Sequence, residues 1–208
     1  GSIRQTASVG SIGLDMTIDL YRTQFKDQVV VNWENPQRLS FQPLQGESYA
    51  NSALASLEID IPTHWEVRLA YKLDDVKTTY DGNLLQRPLQ PRKRAFAQLS
   101  YQSTPDAAGA QWRWDATYHG VGSQRLVANV RNPYGGYAPS YHLVNSQLTK
   151  AFSKTLEVYM GVENATNFTQ DNPIIAASEP YNDRFDAAQI YAPIFGRMGY
   201  IGMRWTLL

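Results

Sequence analysis

Residues 201–207 alternate between apolar and polar side chains, and this alternation constrains the fold more than any other feature of the chain. The apolar positions are Ile201, Met203, Trp205 and Leu207, and the positions between them are Gly202, Arg204 and Thr206. Successive side chains of a β-strand point to opposite faces, so a period of two gives one apolar face and one polar face. Residues 197–208 are therefore predicted to form a strand of this kind.

The same alternation recurs upstream and divides the chain into about eight predicted strands. The predicted strands cover residues 12–32, 47–61, 65–80, 94–104, 111–119, 141–152, 156–163 and 197–208. The end of a ninth strand is expected at residues 3–7, before a turn at Val9 and Gly10. In most of these strands the apolar residues share one face, as Leu57 and Ile59 do opposite Glu58, while the strands at residues 94–104 and 141–152 are less regular.

The connections between the predicted strands alternate between short turns and long loops. Short turns follow the second, fourth and sixth strands, and long loops follow the first, third, fifth and seventh. Short periplasmic turns, long extracellular loops and strands with apolar outer and polar inner faces are typical of outer-membrane barrels. The sequence thus predicts an all-β fold, a transmembrane antiparallel β-barrel in the bacterial outer membrane.

A secreted β-sandwich that binds glycans is an alternative, because sandwich strands also alternate and their loops also gather at two ends. The predicted strand at residues 65–80 is longer than the usual five or six residues. Aromatic residues also recur at strand ends on the apolar faces, as in an interfacial girdle. These aromatic residues are Trp65, Trp112, Tyr118 and Trp205. Both features favour the barrel.

The composition excludes several classes of function. The chain has 19 basic and 19 acidic residues, so no net charge draws it to nucleic acid. It has no cysteine, which excludes disulfides and thiolate chemistry. The histidines, His64, His119 and His142, do not have the spacing of metal ligands, and the sequence gives no catalytic group or cofactor site.

Residues 156–168 resemble a strand of the TonB-dependent receptors. Their sequence is LEVYMGVENATNF, and further segments with the same resemblance lie in the order expected for the family. These segments are residues 19–31, 48–52, 74–80, 170–175, 184–187 and 192–197. The resemblance covers almost the whole chain. The branch that the chain most resembles often carries a carboxypeptidase-like regulatory domain ahead of the plug.

The resemblance implies a 22-stranded barrel whose lumen is filled by an N-terminal plug domain. Residues 1–208 would then be the C-terminal part of the barrel, with no plug in this chain. Such a receptor imports a scarce nutrient (an iron chelate such as a siderophore complex, cobalamin, a metal or a glycan). The implied partners are outer-membrane lipid, the plug and remaining strands, the TonB complex through the plug, and the barrel-assembly machinery. No enzymatic role is implied.

A self-contained eight-stranded outer-membrane protein with a structural or adhesive role is a second alternative. In such a barrel the strand at residues 12–20 would hydrogen-bond to the strand at residues 201–207. Its inward charges would need dense mutual pairing, because eight strands leave room only for side chains. In a wide barrel the same charges can meet water or a plug.

Two sets of residues are candidates for function. Aromatic residues beside flexible glycines in the long loops can stack on sugars or chelates, and Tyr134, Tyr137, Tyr181 and Tyr191 are the candidate ligand-binding residues. In the final strand, Gly202, Trp205 and Leu207 resemble the signal that the barrel-assembly machinery recognises at an unpaired edge strand. Packing against neighbouring loops or against lipid is the alternative role for both sets.

Overall fold

The computed structural model describes residues 1–35, 38–62, 64–128 and 135–207. Within these ranges every regular element is a β-strand. The strands are β1 (Ser2–Val9), β2 (Ile12–Gln24), β3 (Val29–Asn32), β4 (Ser40–Pro43), β5 (Ser48–Ile61), β6 (Trp65–Tyr80), β7 (Asn83–Gln86), β8 (Lys93–Gln102), β9 (Gln111–Val121), β10 (Gln124–Arg125), β11 (Tyr137–Ala138), β12 (Tyr141–Ala151), β13 (Leu156–Glu163) and β14 (Met198–Trp205). None of the described residues belongs to a helix long and apolar enough to cross a membrane.

Nine long strands form one antiparallel wall in the order β1-β2-β5-β6-β8-β9-β12-β13-β14. The short strand β7 pairs with the end of β6. The strand β2 lies between β1 and β5, and β14 pairs with β13. In the described part of the chain, β1 and β14 are therefore the two edges of an open sheet. The alternative of an eight-stranded barrel, in which β2 would hydrogen-bond to β14, is therefore wrong, because β2 already pairs with β1 and β5.

The structure extends the predicted wall at its beginning and shortens its first strand. β1 spans Ser2–Val9 and so extends beyond the predicted residues 3–7 at both ends. The predicted strand at residues 12–32 ends at Gln24, and the apolar residues of β3 pair instead with β4 in a separate hairpin. The run Val29–Asn32 has the composition of a strand but not the register of the wall, because Asp27 turns the chain with a φ of 52°.

One face of the wall carries the apolar side chains that the alternation predicts. In the register of β2, β5 and β6, Met16 lies opposite Leu57, and Leu57 lies opposite Leu69. The apolar positions of β2 run from Ile12 to Leu20, which is about 27 Å along the strand and about 20 Å at the usual tilt. This height is close to the ~25 Å apolar band of a membrane barrel.

The opposite face is polar, and its charges pair within one strand and across the sheet. Arg68 Nη2 on β6 lies 3.0 Å from Glu58 Oε1 on β5, and the same guanidinium contacts Glu66. Near the other edge, Glu157 on β13 lies between Arg113 on β9 and Arg204 on β14. These ion pairs lie on the face that would line a lumen.

Two tyrosine rings on the lumen face lie over glycines of the last two strands. Tyr159 lies opposite Gly202, and Tyr200 lies opposite Gly161. A Cβ atom added to Gly202 would lie only 2.3 Å from Cζ of Tyr159, and one added to Gly161 would lie 2.4 Å from Cζ of Tyr200. These glycines leave room for the rings, which cover the exposed backbone of the strands.

The connections lie at opposite ends of the wall, as predicted. The turn between β1 and β2 uses Gly10, whose φ of 63° suits a residue without a Cβ atom. The other short connections join β5 to β6, β8 to β9, and β12 to β13. The long loops join β2 to β5, β6 to β8, β9 to β12, and β13 to β14, so they gather at the other end.

Candidate functional site

The long loops pack together at their end of the wall and form a layer with a small core of its own. The fully buried side chain of Leu126 and the methyl group of Ala138 meet the ring of Tyr191. Leu126 and Ala138 belong to the loop between β9 and β12, whereas Tyr191 belongs to the loop before β14. Tyr141, at the start of β12, packs beneath them. Two long loops are thus held together by apolar contact.

Buried glutamine side chains hold the same two loops in place by hydrogen bonds to the backbone. Gln170 Oε1 accepts from the amide of Tyr191 at 2.8 Å and from that of Ala192 at 3.2 Å. Gln170 Nε2 donates to the carbonyl of Gln189 at 2.8 Å. From the other loop, Gln124 Nε2 donates to the carbonyl of Tyr191 at 3.1 Å. Buried backbone groups need such partners, so each glutamine fixes the path of a segment that has no strand ladder.

The motif that follows β13 ends the strand and ties the long loop to the wall. Asn164 has a positive φ, 50°, and its amide group donates to the carbonyls of Phe168 and Phe195. Asn167 Oδ1 accepts from the backbone amide of Arg197 at 2.9 Å, just before β14 begins. The segment that carries the family resemblance therefore has a structural role here, because it brings the two ends of the long loop together.

A buried ion pair links the loop before β5 to the loop after β9. The guanidinium of Arg125 contacts the carboxylate of Glu34, and both side chains are largely buried. Arg125 Nη1 also donates to the carbonyl of Gln86 at 3.1 Å. Three separate loops thus meet at Arg125, and the loop layer forms one connected unit at its end of the wall.

Beneath this layer the lumen face contains a cavity of about 510 Å³. Cationic and imidazole groups from Lys72, Arg94 and His119 contribute to its lining. The rings of Phe96, Tyr141 and Tyr191 are also in its wall. Lys72 is engaged with Asp74 at 3.1 Å, while the side chain of Arg94 is exposed. A cation beside aromatic rings can hold an anionic or aromatic ligand by charge attraction and stacking.

The candidate ligand-binding tyrosines occupy different environments. Tyr181 is fully exposed, and Tyr137 in β11 is 55% exposed at the rim of the loop layer. Tyr191 is buried in the loop core and lines the lumen cavity. Tyr134 lies outside the described residues. The structure therefore brings Tyr191, but not Tyr181, together with the cavity, and their role in ligand binding stays a prediction.

The three residues of the predicted assembly signal lie at the open edge of the wall. Gly202 is on the lumen face beneath the ring of Tyr159. Trp205 and Leu207 are strongly exposed, and Trp205 lies opposite Leu156 on the apolar face. An exposed edge strand is open to pairing with another strand, and recognition by an assembly machinery stays a prediction.

Sequence reasoning missed the residues that organise the loop layer. Gln124, Gln170 and Gln189 are among the most buried residues of the chain, yet no periodicity marks them. The alternation of the strand at residues 111–119 places His119 on the polar face without indicating a cavity, and the sequence does not assign Arg94 to either face. Among the described residues no group of three or more His, Cys, Asp or Glu side chains is arranged to hold a metal ion.

The chain is similar to a known barrel family in sequence and to solved receptors in structure. Residues 7–165 match the family described as TonB dependent receptor-like, beta-barrel. No curated protein matches significantly in sequence. The ferric-catecholate import receptor Fiu of Escherichia coli K12 superposes with a TM-score of 0.64 at 16% identity, over 98% of this chain and 27% of that receptor.

Two further solved structures give the same result. The copper transporter OprC matches with a TM-score of 0.63 at 13% identity, over 98% of this chain and 30% of that protein. A mutant of the ferric enterobactin receptor PfeA from Pseudomonas aeruginosa matches with a TM-score of 0.64 at 14% identity and with the same coverage. This chain therefore spans less than a third of the length of each. The chain belongs to the TonB-dependent receptor family, and its open wall is part of an outer-membrane β-barrel.

Proposed function

We propose that residues 1–208 are the C-terminal part of the barrel of an outer-membrane transporter that imports a scarce nutrient. The barrel is completed to about 22 strands and closed by a plug domain, which contacts the TonB complex. The observation that carries this proposal is the open wall, in which neither β1 nor β14 is paired on its outer side within the described residues. The charged lumen face supports it, since a plug and water can accept those charges.

The loop layer and the cavity beneath it form the entry path for the nutrient in this proposal. The exposed Arg94 attracts an anionic ligand, His119 can donate a hydrogen bond to it, and the rings of Phe96 and Tyr141 stack on it. Tyr137 and Tyr181 make the first contacts with the nutrient at the surface, and Tyr191 stabilises the loop core. Tyr134, outside the described residues, stays a predicted ligand-binding residue. An iron chelate carries the negative charge and the flat groups that suit such a site. Cobalamin, a metal or a glycan are the other substrate classes.

The chain contributes binding and passage, not catalysis. In this proposal the strand β14 presents Gly202, Trp205 and Leu207 to the barrel-assembly machinery during insertion. A carboxypeptidase-like regulatory domain ahead of the plug remains a prediction from the resemblance.

Uptake by cells that produce the complete receptor tests this function. A ferric catecholate labelled with radioactive iron is the first probe, followed by labelled cobalamin, copper and an oligosaccharide. We expect accumulation of one probe to depend on both the receptor and a working TonB complex. Receptor-dependent accumulation that continues without TonB, or accumulation of none of the four probes, would contradict the proposal.

A further inference from the structure

A cluster of cations lies on the membrane-facing side of the wall, just beyond its apolar band. In the register of the sheet, Arg22 on β2 lies opposite Asn51 on β5, which lies opposite Asp75 on β6. All three positions continue the outer face, directly after the row formed by Leu20, Ala53 and Leu73. The outer face thus changes from apolar to charged within one row, at the end of the wall that carries the long loops.

Cations outnumber acids in this cluster, although the chain as a whole has no net charge. Asp75 is shared by two long contacts, 3.8 Å from Lys77 and 3.9 Å from Arg92. Arg22 lies over the ring of Tyr49, 5.9 Å from its centroid, and Tyr49 donates to Asp75 at 3.2 Å. Lys93 is exposed at the start of β8, opposite Leu73. Two cations therefore contact Asp75, and Arg22 and Lys93 lie at nearby positions of the same face.

The same residues border a shallow groove of about 580 Å³. Its floor is apolar and includes Leu20, Ala53 and Leu73, of which both leucines are more than 40% exposed. Arg22, Arg92 and Lys93 line its edge. Asp74 also touches the groove, but its carboxylate bonds to Lys72 on the lumen side. An apolar floor beside a cationic edge matches a molecule with an acyl chain and an anionic head group.

We propose that this groove binds the phosphorylated head group of an outer-leaflet glycolipid. Long loops of outer-membrane barrels are extracellular, so the cluster lies at the level of the outer-leaflet head groups. Arg22, Arg92 and Lys93 contact the phosphates, and an acyl chain lies on Leu20 and Leu73. Cations at a membrane surface attract anionic lipid, and an arginine guanidinium binds phosphate through two parallel hydrogen bonds.

An exposed lysine at the other end of the wall provides a control. Lys154 lies in the short turn between β12 and β13, far from the long loops. We compare the variant R22Q/R92Q/K93Q with K154Q in the complete receptor, purified in a neutral detergent. Retention of bisphosphorylated lipid A is measured by native mass spectrometry across a titration.

We expect the triple substitution to weaken lipid A retention about 100-fold, because each cation near an anionic surface contributes roughly fivefold. K154Q should retain lipid A as the unaltered receptor does. Equal retention by the triple variant and the unaltered receptor, or an equal loss in K154Q, would overturn the proposal.

The unaltered receptor gives a second test that requires no substitution. Fully dephosphorylated lipid A should bind at least tenfold more weakly than the bisphosphorylated form, and inorganic phosphate alone should not displace the lipid at equal concentration. Equal binding of both lipids would show that the apolar floor alone holds them. Displacement by inorganic phosphate would identify a phosphate site and not a lipid site. Either result would overturn the proposal.

Discussion

The wall and the loop layer of this chain are stabilised in different ways. In the wall, each strand is bonded to its neighbours along its length, and residues such as Leu57 need only be apolar and face outward. In the loop layer, the path of the backbone depends on individual side chains. Gln170 alone provides three hydrogen bonds to the backbone of a neighbouring segment. The wall therefore tolerates conservative exchanges at most positions, whereas the loops depend on a few buried amides.

The largest effect is expected from removing one of these amides. Gln170→Ala removes the hydrogen bonds of this side chain to the amides of Tyr191 and Ala192 and to the carbonyl of Gln189. The loss of a buried hydrogen bond costs about 1–3 kcal/mol, so we expect local stability to fall by about 4 kcal/mol. Hydrogen exchange at residues 168–193 measures this loss. Protection of the strands in the wall should stay unchanged.

Gln45→Ala is the matched control for this substitution, since Gln45 is an exposed glutamine in another loop. It should leave exchange at residues 168–193 unchanged. Equal exchange in both variants would mean that the buried amide does not organise the loop layer.

Placing a charge on one or the other face of β5 tests which face of the wall meets the membrane. Leu57 lies near the middle of the apolar band, and Ser56 precedes it on the lumen face. We expect Leu57→Arg to destabilise the barrel by about 3 kcal/mol, because an arginine at the centre of a bilayer costs about 2–4 kcal/mol. Ser56→Arg should cost less than about 1 kcal/mol. Urea unfolding in lipid vesicles measures the free energy of unfolding of both variants. An equal decrease in the two would contradict the assignment of the faces.

A smaller effect is expected where a ring lies over a glycine. Gly202→Ala places a methyl group 2.3 Å from Cζ of Tyr159 and should destabilise the barrel by about 2 kcal/mol. Gly199→Ala is the control on the same strand, because its nearest neighbour would be 3.9 Å away. Urea unfolding measures the difference in the free energy of unfolding between the two variants. A loss of stability that is the same in both variants would show that the ring of Tyr159 has moved aside.

The smallest structural effect is expected at the surface of the loop layer. Tyr181 is fully exposed, so Tyr181→Ala should change stability by less than about 0.5 kcal/mol. If Tyr181 meets the nutrient, the same variant should lower uptake at limiting concentrations of the nutrient. A large loss of stability would place Tyr181 in the packing of the loops and not at a binding surface.

The sequence predicts the wall well because a wall strand is a local pattern. Strand β6, Trp65–Tyr80, has the predicted bounds, and the lumen charges Glu58 and Arg68 lie on the predicted face. The prediction was wrong at residues 25–32, where the apolar residues of β3 continue the composition of a strand after the chain has turned away. Composition alone does not reveal that change of direction.

The candidate site was less predictable, since it depends on contacts between residues far apart in the chain. Gln124 meets Tyr191 across 67 positions, and Arg125 meets Glu34 across 91. No short-range pattern indicates such pairs. The aromatic residues near glycines suggested that the long loops bind a ligand. The structure shows, however, that Tyr191 is a core residue whereas Tyr181 is exposed. Residue type did not distinguish these environments.

Cross-linking of the two edge strands tests the open wall most directly, and the chain offers a background without cysteine. A cysteine pair at Gln5 and Met203 joins β1 to β14 only if the wall closes on itself. The control pair at Val158 and Met203 joins β13 to β14, which are neighbours in the sheet. In intact outer membranes we predict an oxidised cross-link for the control pair and none for the edge pair. A cross-link at Gln5 and Met203 as complete as the control would contradict the account.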